Sequence, residues 1–243
     1  MVSPVALQND KHLKLKITES GDYARYKDHH LIPIITQDFF SLGSEFPVVF
    51  VKDSSGEQFV PVAIMGLREG HNLYCQNGEW NAQVVPVRFN NAPFSIVRVD
   101  AEGDQLAVLI DEDSPMLSET EGTPLFKEDG TRSEYLEQKI ENLMKTAEQT
   151  VQTEAICKIL KEKNLLVTEQ LKLQHRQDSP SYNIDGVYTV DEQKLNALPD
   201  EEYMDLRKQG LIPFIYAHLS SLQQLRRISA LQYSADKAAE AAA

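Results

Sequence analysis

The spacing of apolar residues changes near residue 131, from the two-residue period of β-strands to the period of an α-helix. From Phe46 to Asp111, short apolar runs alternate with turn residues. From residue 131 to residue 164, apolar side chains recur every three or four residues. Strands followed by helices are typical of an α+β protein. We therefore predict an antiparallel β meander or partial barrel, packed against C-terminal helices.

The dipeptide Asn77-Gly78 is the strongest local signal in the strand-rich half. It lies between two β-prone runs, and both residue types tolerate the positive φ angles that a type I′ hairpin turn requires. Five or six antiparallel strands are predicted between Phe46 and Asp111, with another turn around Glu102-Gly103.

The second half is predicted to begin with one long amphipathic helix or two abutting ones. Thr131 and Glu134 have the spacing of a capping box at its start. Two strands joined by a loop at Asp178–Pro180 follow, and then short helices, one of which ends at Gly210.

A single domain is predicted over residues 1–234. Its β-rich part covers about residues 13–113 and its mostly helical part about 131–234. Residues 235–243 are rich in alanine and are predicted to form a disordered tail.

The charge and composition exclude several classes of function. A formal net charge of −13 disfavours binding to nucleic acid phosphates. No stretch approaches the roughly 20 apolar residues of a membrane-spanning helix, and no signal peptide is recognisable, so a cytoplasmic location is predicted. The two cysteines have no metal-ligand spacing, and we predict neither a metal nor a cofactor.

His218 lies in the middle of the apolar stretch "LIPFIYAHLSSLQQLRRI". At helical spacing it projects among leucine, isoleucine and phenylalanine side chains, which favours a buried structural histidine over a ligand or a base. A buried ring requires a hydrogen-bond partner, so we predict a carboxylate or a backbone carbonyl beneath the helix.

Several other residues are candidates for a binding site. Arg68 and His71 lie in one loop between strands, and Asp111 begins an acidic run at a strand end. A pocket between sheet and helices would bring His218 and Asp111 together with Trp80 and Arg88, but the chain contains no known catalytic motif.

The chain resembles the SapC-like family of bacterial proteins. The resemblance rests on "EFPVVFVKD", "FVPVAIMGLREGHNLY", "NGEWNAQVVPVRF", "APFSIV", "LIDEDSP", "GTPLFKEDG", "GVYTVDEQKLNALPDEEYMDL" and "YAHLSSLQQLRRI". It implies an association with cell-surface, secretion or nutrient-uptake systems and supplies no catalytic residues. Relatives have a basic and aromatic cluster before "PF". Here Asn90 and Asn91 interrupt that cluster, while Arg88 and Phe94 are kept, and both are candidate binding residues.

Three hypotheses about function follow. The first is a non-catalytic cytoplasmic accessory protein that binds another protein. No particular oligomeric state is predicted for it. The second is an enzyme or small-molecule binder with a pocket between sheet and helices. The third is a structural component of a surface layer.

Overall fold

The structure is a computed structural model that describes residues 4–18, 23–99, 106–176 and 180–242. The predicted turn at Glu102-Gly103 and most of the predicted loop at Asp178–Pro180 lie outside these residues. In chain order, the strands are β1 (Val5–Ala6), β2 (Lys16–Ile17), β3 (Leu31–Pro33), β4 (Val48–Lys52), β5 (Phe59–Ile64), β6 (Cys75–Gln76), β7 (Glu79–Trp80), β8 (Phe94–Arg98), β9 (Leu106–Ile110), β10 (Leu117–Ser118), β11 (Thr123–Pro124), β12 (Leu166–Gln174) and β13 (Ser181–Val190). The helices are α1 (Asn9–His12), α2 (Asp38–Gly43), α3 (Glu134–Glu162), α4 (Glu192–Asn196), α5 (Asp200–Lys208), α6 (Leu211–Ser221) and α7 (Leu225–Ala242).

The chain divides into two compact units, neither of which is continuous in sequence. One contains Met1–Gly21 and Val87–Gln149, and the other contains Asp22–Pro86 and Thr150–Ala243. The first part of α3 belongs to the first unit and the rest to the second. The single domain expected over residues 1–234 stays a prediction.

The first unit is built on two small antiparallel sheets. Their strand orders are β1-β9-β8 and β10-β2-β11. The β8–β9 hairpin pairs Phe94 with Ile110, which places both side chains in the core. The buried members of this core are Ile17, Phe94, Ile110, Leu125, Phe126, Leu136 and Leu143.

The second unit contains an antiparallel sheet with the strand order β12-β13-β4-β5-β3. Its β4–β5 hairpin comes from the strand-rich half of the chain, and its β12–β13 hairpin comes from the helical half. The hairpins meet where Val187 pairs with Val51 and Tyr188 pairs with Phe50. The predicted α+β class with antiparallel strands is confirmed, and the sheets are open.

The Asn77-Gly78 turn is confirmed. Asn77 and Gly78 have φ angles of 53° and 80°, which matches the type I′ turn, and Cys75 pairs with Trp80 across it.

The strands between Phe46 and Asp111 do not form the continuous meander expected from the sequence, because they belong to separate sheets. The apolar run from Val84 to Phe89 is not a strand, and it continues into a 3₁₀ turn at Val87–Asn91. The physical reason lies in the backbone: the N–H groups of Gln83 and Val84 donate to the carboxylate of Glu45, and Pro86 has no N–H to offer.

The helical half agrees with prediction in most of its elements. The long helix is the single helix α3, although its start differs from the predicted capping box. The Ser133 hydroxyl accepts a hydrogen bond from the Leu136 N–H, whereas the Thr131 hydroxyl bonds to Asp129. After α5, Gly210 has a φ of 75°, as expected of a helix end.

The C-terminal helix α7 includes residues 235–242, where the alanine-rich composition predicts a disordered tail. Asp236 in this segment is buried and pairs with Arg68. None of the helices in the described part of the chain is long and apolar enough to cross a membrane.

Candidate functional site

His218 lies on α6 and has no solvent exposure. Its Nδ1 is 2.8 Å from the carbonyl oxygen of Val48, and its Nε2 accepts the N–H of Val190 at 3.1 Å. A carbonyl oxygen can only accept, so Nδ1 carries the proton and the ring is the neutral Nδ1–H tautomer. The predicted backbone carbonyl beneath the helix is confirmed.

The neighbouring residue Ser221 strengthens the same contact between α6 and the sheet. Its hydroxyl accepts the N–H of Val48 at 2.9 Å and donates to the carbonyl oxygen of His218 at 2.6 Å. The ring of Phe50 packs edge-on against the imidazole, with centroids 5.0 Å apart. Both backbone polar groups of Val48 are therefore satisfied by side chains of one helix.

Burial lowers the pKa of His218 to about 4, and the hydrogen bond to Val48 opposes this change only in part. The ring is neutral near pH 7, and both of its nitrogen atoms have backbone partners. In this arrangement it has no free nitrogen for a substrate proton or a metal.

Glu45 is the residue that sequence reasoning missed. Its carboxylate is 5% exposed, and it accepts the N–H groups of Gln83 at 2.9 Å and Val84 at 3.1 Å and the Arg227 guanidinium at 2.8 Å. A glutamate between a short helix and an apolar run resembles an ordinary surface turn, so the sequence offers no signal for this role. The carboxylate joins the 83–84 segment to α7.

Trp80 lies in an aromatic cluster beside this carboxylate. Its ring is 5.7 Å from Tyr23, 6.1 Å from Phe46 and 6.2 Å from Tyr74, and its indole N–H donates to the Val84 carbonyl at 2.9 Å. The Tyr74 hydroxyl is buried and has no hydrogen-bond partner among the described residues. Burial raises the pKa of Tyr74 to about 12.

Arg68 and His71 share one turn, in which the His71 N–H donates to the Arg68 carbonyl at 3.3 Å. The Arg68 guanidinium binds the buried carboxylate of Asp236 at 2.9 Å and lies over the ring of Tyr182. The His71 side chain is exposed. Arg68 thus connects this turn to α7.

The three candidates of the first unit lie in different environments. Phe94 is a core residue with 4% exposure, and Arg88 is exposed on the 3₁₀ turn at Val87–Asn91. Asp111 is buried, its N–H donates to the Pro93 carbonyl, and its side chain accepts the N–H of Asp113 at 3.2 Å. The convergence of Arg88 and Asp111 with residues of the second unit stays a prediction.

The acidic run after β9 has a structural partner that the sequence did not indicate. Glu112 bonds to Nε2 of the buried His12 at 2.9 Å and to Lys11 at 2.6 Å. The hydrogen bonds from Lys11 and His12 lower the pKa of the Glu112 carboxyl. In the part of the chain that the structure describes, no group of three or more His, Cys, Asp or Glu side chains is placed to hold a metal ion.

A cavity of about 500 Å³ lies between the β4–β5 turn and the C-terminal part of α3. Its lining residues are Glu57, Gln58, Phe59, Val151, Glu154, Ala155, Cys157, Lys158 and Lys161. Charges of both signs line it, and burial raises the pKa of the Cys157 thiol to about 12, so this thiol is not an activated nucleophile.

A second cavity, of about 420 Å³, lies between β12 and the start of α7. Its lining residues are Lys172, Leu173, Gln174, His175, Leu225, Arg226 and Ser229. No acidic side chain lines it within the described ranges.

These features define a mixed α+β protein whose most conspicuous buried histidine joins a helix to a sheet. The family model SapC matches residues 7–228, nearly the whole chain. The chain therefore belongs to the SapC family, as the resemblance seen in its sequence indicates. No curated protein and no solved structure matches it.

Proposed function

We propose that this protein is a non-catalytic accessory protein of the cytoplasm that binds another protein. The setting implied by the family is a cell-surface, secretion or nutrient-uptake system. The observation that carries the proposal is an exposed aromatic surface formed by Phe40 of α2 and Phe214 of α6, called here the aromatic platform. Aromatic side chains on a rigid support are typical anchors of protein interfaces.

Packing between α2 and α6 supports the aromatic platform. Phe40 is 57% exposed, and its ring centroid is 5.7 Å from that of the half-buried Phe214. Phe214 in turn packs edge-on against the buried Phe39 at 5.8 Å. At Gly43, an added Cβ would lie 3.4 Å from the Cβ of Ser221, so α2 and α6 approach closely. A platform that is already ordered loses little entropy when a partner binds.

The charge of the chain suggests the chemistry of the partner. With a net charge of −13, the surface attracts a protein that has basic residues around an apolar contact. Attraction between opposite charges accelerates association, and added salt weakens this attraction. The complex is therefore expected to dissociate more readily at high ionic strength.

The environment of His218 argues against the catalytic alternative. The ring has backbone partners at both nitrogen atoms, so the histidine most suggestive of chemistry is committed to the fold. The proposal of a binding function does not require it to react.

The test is purification of the full chain at native expression level from its own cells, followed by mass spectrometry of bound proteins. Phe40→Ser is expected to remove a stoichiometric partner, whereas the matched variant Val151→Ser, which changes a side chain of 55% exposure on α3, is expected to retain it. Equal retention by both variants would contradict the role of the aromatic platform. Absence of any partner from the unmodified protein would count against the accessory function itself.

The small-molecule and surface-layer hypotheses stay predictions. A metabolite that stays bound without a protein partner would favour the first of them. Detection of the chain outside the cytoplasmic membrane would favour the second.

A further inference from the structure

The cavity between β12 and α7 has a charge opposite to that of the chain as a whole. The sequence contains 37 acidic and 24 basic residues. Nevertheless, the described wall of this cavity carries Lys172 and Arg226 and no carboxylate. Neither of these two cations forms an ion pair with a described residue. Within the described ranges, no carboxylate lies at ion-pair distance from either cation.

A further basic group lies beside the cavity, over the ring of Tyr233. The Arg176 guanidinium is 5.3 Å from the centre of this ring, whereas the Lys237 ammonium, 6.0 Å from it, pairs with Glu240 at 2.7 Å and adds no net charge. The ring of His175, which lines the cavity, is 5.2 Å from the same ring. A concave wall that gathers charges of one sign raises the local concentration of oppositely charged ligands.

Ser229 provides an independent indication of a ligand. The residue lines the cavity, is 5% exposed, and its hydroxyl has no hydrogen-bond partner among the described residues. A buried hydroxyl without a partner is unfavourable. Because Ser229 lines the cavity, its hydroxyl hydrogen can turn about the Cβ–Oγ bond towards an acceptor that enters there.

We propose that this cavity binds a small organic anion. Its anionic oxygen atoms would lie against Lys172 and Arg226, its apolar body would contact Leu173 and Leu225, and the Ser229 hydroxyl would donate to it. The volume of about 420 Å³ lies within the roughly 300 to 1,000 Å³ of small-molecule sites and exceeds what an inorganic anion fills. This inference does not depend on the protein partner proposed above.

The experiment is isothermal titration calorimetry of the full chain with hexyl phosphate and with hexanoate, with hexanol and inorganic phosphate as reference probes. At least one of the two organic anions is expected to bind, more tightly than either reference. Comparison of the two organic anions tells whether the site takes a phosphate or a carboxylate. If neither organic anion binds, or if hexanol binds equally well, the proposal is overturned.

Variants show whether binding occurs at this cavity. Lys172→Gln and Arg226→Gln are each expected to weaken binding about tenfold, whereas Arg207→Gln, an equal change of charge on α5, is expected to leave it unchanged. If all three variants weakened binding equally, only the overall charge of the protein would matter, and the proposed site at this cavity would be contradicted.

Ser229→Ala separates the ligand role from a structural one. Loss of an unpaired buried hydroxyl in a helix is expected to raise the Tm of the ligand-free protein. The same variant is expected to lose a few-fold in affinity for the organic anion. A rise in Tm with unchanged affinity would remove Ser229 from the site.

Discussion

Val48 and Val190 lie opposite one another in the register of β4 and β13, but the imidazole of His218 stands between them. The last paired residues of these strands are Tyr188 and Phe50, and continuing the antiparallel register by two residues brings Val190 to Val48. There, Nδ1 donates to the Val48 carbonyl and Nε2 accepts the Val190 N–H. A side chain of α6 thus completes the hydrogen bonding of two strands.

Replacement of His218 by alanine is expected to lower the free energy of unfolding of the second unit by about 4 kcal/mol. The change leaves a cavity and two buried backbone groups, the Val48 carbonyl and the Val190 N–H, without partners. Chemical denaturation would measure the loss. His71→Ala, which removes an exposed imidazole, serves as the control and is expected to change stability by less than about 0.5 kcal/mol.

Stability is expected to decrease when the pH falls from 6.5 towards 4. The ordinary pKa of histidine, 6.5, applies to the unfolded chain, whereas burial lowers the pKa of His218 to about 4 in the folded protein. The unfolded state therefore binds a proton first as pH falls, and about 3 kcal/mol that is fully present above pH 6.5 is lost on the way to pH 4.

Denaturation curves at several pH values, recorded for the unmodified protein and for His218→Gln, would isolate this contribution. The difference in unfolding free energy between the two proteins is expected to shrink as pH falls. A difference that stays constant between pH 6.5 and 4 would show that His218 titrates normally in the folded state.

Glu45→Gln is expected to destabilise the second unit by about 2 to 3 kcal/mol. An amide replaces one of two acceptor oxygens with a donor, which would face either Arg227 or the N–H groups of Gln83 and Val84. Trp80 is the one tryptophan of the chain and bonds to Val84, so its fluorescence would report the change directly. Glu57→Gln, at an exposed position, should leave both the fluorescence and the stability unaltered.

Gly66→Ala is expected to cost about 3 kcal/mol or more, because an added Cβ would lie 1.8 Å from the carbonyl oxygen of His71. The backbone of the turn would have to move. Gly70→Ala in the same turn is the matched control: Gly70 has a φ of 71° with open space around it, so only about 1 kcal/mol is expected from its backbone conformation. Thermal unfolding of both variants would show whether the steric contact at Gly66 costs more stability than the positive φ angle at Gly70.

Elements specified by neighbouring residues could be predicted from the sequence. The Asn77-Gly78 turn follows from the positive φ angles that both residues accept, and Gly210 marks the end of α5 for the same reason. The long helix α3 is evident from its apolar spacing. Its first turn was misplaced because Thr131 and Ser133 are both good capping residues, and the loop conformation decides between them.

Contacts between distant segments could not be predicted. The sequence places a strand at Val48–Lys52 but does not reveal that Ser181–Val190 pairs beside it. The apolar run at residues 84–89 has the composition of a strand. In the fold, however, the carboxylate of Glu45 accepts the N–H groups of Gln83 and Val84 at its start. For His218, local spacing predicted burial and a partner, whereas the identity of that partner depended on the fold.

The imidazole bridge has a consequence for the synthesis of the chain. His218 lies 170 residues after Val48, so at about 5 to 20 residues per second the ribosome needs roughly 10 to 30 s to deliver the histidine after the strand. In the folded sheet, β4 lies between β5, which is synthesised directly after it, and β13, which is synthesised more than 120 residues later. Nascent chains of this protein are therefore expected to expose an unpaired strand edge, which is open to pairing with other chains until β13 and α6 have been synthesised.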